Sequence, residues 1–207
     1  MGRASHGRRA RFVRRLLAPL MLLLISSPTW GADANQRFAM KGAGLLNCFV
    51  YTGERQKRSD VYFMIGGWIE GYLSAYNQFV PRVFDITSFE SLELLLSVVD
   101  NHCRQHPEDK LHAVLQGVLR QLQPDAITEE SARVEIEQGE RRTRLYRTTV
   151  TRMQQKLTAL GLYQGPSDGR YTDAVRAALI AFQTDLGFEP SGFPDQATLW
   201  RLLRPDD

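Results

Sequence analysis

The last sixty residues repeat a turn-then-helix unit, and such a chain closes its core from short helices rather than from a broad sheet. In TVTRMQQKLTALG, Val150, Met153, Leu157 and Leu160 recur at helical spacing, and Gly161 is placed to end the helix. The stretch GLYQGPSDGR follows as a compact turn in which Asp168-Gly169 takes a conformation that branched residues resist. Thr172 is expected to cap a second helix with Val175, Leu179 and Phe182 inward. A second turn, PSGFPDQ, then leads into a third helix carrying Leu199, Trp200, Leu202 and Leu203. Three short helices sharing one small core follow from this pattern.

The opposite end has the pattern of a secretory leader. Arg3, Arg8, Arg9, Arg11, Arg14 and Arg15 precede an apolar run at 16–25, and Ala32-Asp33-Ala34 is a small-x-small cleavage signature. A signal peptide at 1–34 is therefore expected, with the mature chain starting near Asn35 and no membrane span left after cleavage. An uncleaved anchor is the alternative. Of 26 basic and 23 acidic residues, this leader takes six arginines and one acid, leaving 20 against 22. The basicity is a targeting feature, and nucleic-acid binding is not expected.

Cys48 and Cys103 are the only cysteines, and in an exported chain they are expected to form a disulfide across roughly 55 residues. Around them the pattern is helical. Asp60 is placed to cap VYFMIGGWIEGYLSAYNQF, with Ile65, Trp68, Ile69, Tyr72 and Tyr76 packing, and Gly66, Gly67 and Gly71 marking close approach or a bend. Thr87 and Glu90 form an expected capping box for a helix bearing Leu92, Leu95, Leu96, Val99 and Cys103. Pro107 is expected to start a third helix, with Leu111, Val114, Leu115, Val118 and Leu122 inward. Residues 35–123 thus read as an all-helical, disulfide-stapled domain.

Reactive constellations are weak. Glu70 is expected to face solvent, because no second acid or histidine stands at a catalytic spacing. His102, His106 and His112 lack a zinc-hydrolase signature, and Ser88, Ser91 and Ser97 lack a nucleophile context. No metal, cofactor or catalytic residue is assigned. Residues 124–146 combine Pro124, acids, and Arg141, Arg142 and Arg144 with few large apolar groups, and read as a charged linker containing a solvent-exposed helical turn.

The tail resembles the three-helix peptidoglycan-binding domain family over 150–203, on LTALGLY, DGRY, ALIAFQ, Gly187 and SGFPDQATLWRLL. Two positions depart from the family pattern, Thr172 after the turn aromatic and Val175 at the start of the second helix. The resemblance implies a non-catalytic wall-attachment module at 147–207. For the contacts themselves, Tyr163 and Tyr171 suit stacking on a sugar or methyl group, Arg170 a peptide carboxylate, and Asp168 and Gln183 hydrogen bonding.

Residues 45–122 resemble the Tai-type secreted immunity proteins, on Cys48, G-W-I-E-G-Y ending at Tyr72, and Cys103 followed by His106-Pro107 and an apolar helix. That implies a periplasmic protein-binding module whose partner is an effector or envelope protein. The expected whole is a wall-associated periplasmic binding protein. The alternative is a wall-modifying enzyme or its accessory, in which the tail targets an unfamiliar hydrolase using Glu70 or a histidine near Cys103.

Overall fold

The computed structural model describes residues 1–2, 32–33, 35 and 37–204. It divides into two units, Met1–Ala39 and Met40–Asp207. In the first, the Asp33 carboxylate accepts the backbone N–H groups of Asn35 and Arg37 at 2.9 and 2.8 Å. The leader arginines, the apolar run and Ala34 lie outside the described residues.

The second unit begins with a short 3-10 turn, Gly42–Leu45, over which the Trp68 indole lies with its N–H donated to the Lys41 carbonyl at 2.9 Å. Four helices follow: α1 (Cys48–Lys57), α2 (Asp60–Phe79), α3 (Leu92–Gln105) and α4 (Leu111–Leu122). They enclose a core of Tyr51, Ile65, Ile69, Leu95, Leu111, Leu115 and Leu119, each nearly inaccessible. Burying each such aliphatic side chain contributes about 1.5–3 kcal/mol. Cys48 and Cys103 are disulfide-bonded within this core, tying the start of α1 to α3.

Three expected helix starts move, each for a hydrogen-bonding reason. Ser59, not Asp60, caps α2: its hydroxyl accepts the Tyr62 N–H, leaving Asp60 in the first turn beside the positive end of the helix dipole. Ser91 caps α3 by accepting the Leu94 N–H, because Thr87 and Glu90 are engaged elsewhere. Thr87 bonds Asp85 through both its N–H and its hydroxyl, and the Glu90 carboxylate accepts the Phe89 N–H. Pro107 lies in a turn rather than in α4. The carbonyls of Pro107 and Asp109 accept the N–H groups of Phe49 and Cys48 at 2.8 Å each, satisfying the otherwise orphan amides at the start of α1. Of the α2 glycines, Gly66 faces Leu92 closely, whereas Gly67 and Gly71 face open space.

The stretch 124–146 contains no helical turn of the expected kind after the 3-10 turn Gln123–Asp125. It holds an antiparallel hairpin of β1 (Arg133–Gln138) and β2 (Arg141–Tyr146), paired Val134 with Leu145 and Ile136 with Thr143. Alternation explains it. Ile136 and Leu145 point into the C-terminal core, while Glu135–Arg144 and Glu137–Arg142 face each other across the exposed side.

Helices α5 (Arg147–Ala159), α6 (Asp173–Asp185) and α7 (Gln196–Leu203) complete the chain, so the all-helical expectation holds with one small two-stranded sheet added. Val150, Met153, Leu157, Val175, Leu179, Leu199 and Leu202 form their core with the hairpin residues. Leu160, at the same helical spacing, is 55% exposed just beyond the end of α5 at Ala159. Among the described residues no helix is long and apolar enough to cross a membrane.

The two cores are joined by the segment before α3. Phe89 belongs to the C-terminal core, its carbonyl accepts the Gln196 amide at 2.9 Å, and the Gln196 side-chain oxygen accepts the Ser91 N–H at 2.8 Å. Thr149 donates its hydroxyl to the Ser88 carbonyl at 2.7 Å. The side chain of Glu90, with no solvent exposure, pairs with Arg204, which also binds Asp125 at 2.6 Å.

Candidate functional site

Each C-terminal turn is fastened by one buried glutamine. Gln154 accepts the Gly169 N–H at 2.8 Å and donates its amide to the Asp168 carboxylate at 3.2 Å and the Arg170 carbonyl at 3.0 Å. Gln183 accepts the Gly192 N–H at 2.7 Å and donates to the Phe193 carbonyl and the Thr198 hydroxyl, both at 3.0 Å. Gly169 and Gly192 have φ of +74° and +71°, the left-handed region. Each is also pressed on the preceding helix: a Cβ would lie 2.8 Å from the Arg147 carbonyl at Gly169 and 3.1 Å from the Arg176 carbonyl at Gly192. Three residues beyond each glycine stands the cap of the next helix, Thr172 for α6 and Asp195 for α7. The repeat legible in the sequence is thus a repeat of hydrogen bonding.

Between the first turn and α6 runs an open groove of about 540 Å³ lined by Leu162, Tyr163, Gln164, Ala174, Ala177 and Ala178. Tyr163 forms its wall, 5% exposed, with its hydroxyl donated to the Pro166 carbonyl at 3.2 Å. Apolar small residues below an aromatic edge suit the face of a sugar or a methyl-bearing peptide.

The predicted site residues do not all converge there. Tyr163 lines the groove, and Arg170 is exposed on the same turn. Asp168 is exposed but spent on the turn: the backbone N–H of Arg170 and then the Gln154 amide hold its carboxyl below the usual range. Tyr171 is half-buried, donating its hydroxyl to the Gly192 carbonyl, and burial pushes its phenol up to about 12. Gln183, on α6, is fully buried against the second turn, away from the groove lining. Sequence reasoning missed Gln154, whose placement on α5 mirrors Gln183 on α6, and the alanines of α6, which look like plain helix formers.

In the N-terminal half, Glu70 is exposed. His102 and His106 stack with ring centres 4.6 Å apart, and His102 bonds Asp109 at 2.8 Å. No metal-binding group of three His, Cys, Asp or Glu side chains occurs among the described residues.

With three helices, two glutamine-fastened turns and a groove in place, this lobe is similar to a known family. Residues 146–202 match the family described as "Putative peptidoglycan binding domain". The match begins where β2 ends, so the hairpin strands stand almost wholly outside the matched residues. In the same region the chain is 49% identical over 49 residues to the Localization factor PodJL of Caulobacter vibrioides, in two strains, covering 24% of this chain and 5% of that protein. The chain therefore spans a small fraction of the length of the curated relatives it matches. No solved structure matches. The matched residues do not reach 45–122, where the resemblance to Tai-type immunity proteins rests.

Proposed function

We propose that this is an exported, non-catalytic envelope protein of two modules. Residues 147–207 hold it to peptidoglycan in the periplasm, and the disulfide-stapled 35–123 lobe presents a protein-binding, immunity-like surface to an effector or envelope partner. The observation that carries the wall-binding reading is the family match at 146–202, lying on three helices that keep an open groove beside Tyr163. In this reading Tyr163 and the α6 alanines seat a sugar or methyl group, Arg170 pairs with a peptide carboxylate, and Tyr171 borders the ligand. Asp168 and Gln183 serve it indirectly, through the turns they hold.

A titration of the full chain with a soluble disaccharide–peptide fragment of peptidoglycan, followed by two-dimensional NMR, tests this. The amides of 161–165 and 174–178 are expected to shift, and Ala177→Glu, at an exposed helical position, is expected to abolish the shifts without unfolding the domain. Shifts absent from this groove, or unaffected by Ala177→Glu, would overturn the assignment.

A further inference from the structure

A second depression, a cleft of about 760 Å³ between α3 and α4, lies apart from the groove used for wall binding. It is lined by the apolar residues Val98, Ala113, Val114, Gly117 and Val118, of which Val114 and Val118 are buried, and by the polar side chains of Asn101 and Gln105 on α3 and Arg120 and Gln121 on α4.

Gly117 is the first clue. It stands in the middle of α4, where glycine costs about 1 kcal/mol relative to alanine. A Cβ there would meet only the Arg120 guanidinium, at 3.8 Å, an ordinary contact. Packing within the chain does not require a glycine at this place. The missing side chain leaves space in the cleft lining beside the guanidinium.

Arg120 is the second. It is exposed and has no ion-pair or hydrogen-bond partner among the described residues, whereas Arg104, Arg141, Arg142 and Arg144 each pair with an acid. The one acid lining the cleft, Asp109, is engaged by His102 at 2.8 Å. The Asn101 and Gln121 side chains likewise carry no hydrogen bond among the described residues, while Gln105 donates to the Asn101 carbonyl at 3.2 Å. An uncommitted guanidinium is a bidentate receptor for carboxylate, free primary amides match the donors and acceptors of a peptide backbone, and an Ala–Gly–Val lining admits methyl-sized side chains.

We propose that the α3–α4 cleft is a second binding site, taking the short, carboxylate-bearing, small-side-chain peptides of the cell wall. Arg120 pairs with the carboxylate, and Asn101 and Gln121 bond the peptide amides. The choice of wall peptide over other peptides rests on the wall-binding reading of the tail. Two footholds, one on each lobe of a joined molecule, would raise its hold on a polymer beyond either alone.

The test is an NMR titration of the full chain with a free wall tetrapeptide, and with the same peptide amidated at its carboxylates. The tetrapeptide is expected to shift the Asn101, Gly117 and Gln121 amides, with an affinity that falls tenfold or more for the amidated peptide and for Arg120→Ala. Gly117→Leu, which fills that space while favouring the helix, is expected to remove the shifts. Equal binding of both peptides, indifference to both variants, or shifts confined to 147–207 would overturn the proposal. Protein retained on whole wall material with no tetrapeptide shifts at α3–α4 overturns the cleft alone. Tetrapeptide shifts at α3–α4 in protein that whole wall material fails to retain support the cleft and count against the tail.

Discussion

At the scale of single residues, the two glutamines decide whether the C-terminal turns exist. Gln183 is wholly buried and bonds Gly192, Phe193 and Thr198. Removing it strands a buried N–H and a buried carbonyl, each costing about 1–3 kcal/mol. Gln183→Ala is therefore expected to destabilise the protein by roughly 2–4 kcal/mol in urea unfolding. An unchanged midpoint with lost wall binding would instead make Gln183 a ligand contact. Tyr171 gives a pH signature. Its folded pKa is raised by burial from the ordinary 10.0 to about 12, so the unfolded chain ionises first. Its contribution is full below about pH 10 and lost as pH rises through about 12. Tyr146, raised to about 12 by burial and by its hydrogen bond to Asp85, acts in the same direction. Unfolding midpoints are expected to fall between pH 10 and 12, less steeply in Tyr171→Phe; equal slopes in both proteins would contradict this.

At the scale of elements, the hairpin is the addition with the clearest consequence. Ile136 is 3% exposed against the C-terminal core, and Ile136→Ala is expected to cost about 2–5 kcal/mol and to release the strands to hydrogen exchange. Exchange unchanged across 133–146 would show the strands to be held by something other than this contact. The disulfide is the matching device in the first core. Closing a loop of separation 55, it is expected to contribute about 4 kcal/mol on the chain-entropy estimate, measurable as the stability difference of Cys48→Ala/Cys103→Ala. The six helices with strong apolar periodicity after α1 were legible because burial on one face imposes that period. The hairpin was missed in a stretch read as a charged linker, although Val134 and Ile136, then Thr143 and Leu145, alternate about Gly139 at φ +60°. Its charged outer face concealed the signal. The α3 start was misplaced where Glu90 finds a distant partner in Arg204, because local capping patterns carry no information about tertiary bonds. In the candidate site, the turn residues were visible as types, but the groove arises from where α6 lies against the first turn, which no spacing in the sequence states.

On the scale of the whole molecule, the tail is joined to the first core by Phe89 and by the ion pair of Arg204 with the buried Glu90 side chain. Arg204→Ala leaves Glu90, with no side-chain exposure, without its cation, and a loss of about 3–5 kcal/mol is expected. A change under about 1 kcal/mol, the range of exposed pairs, would show that the junction opens in solution. On the proposed two-module reading, the joined arrangement holds a partner of the first core at a fixed place relative to the wall, rather than at the end of a loose tether. Wall attachment through 147–207 is the central proposal. Co-sedimentation of the protein with purified, protein-free peptidoglycan, beside Ala177→Glu shown to be folded, measures this most directly. The account predicts saturable retention of the wild-type chain and at least tenfold weaker retention of the variant, the ~1.4 kcal/mol of one lost contact or more; equal or absent retention of both proteins would contradict it.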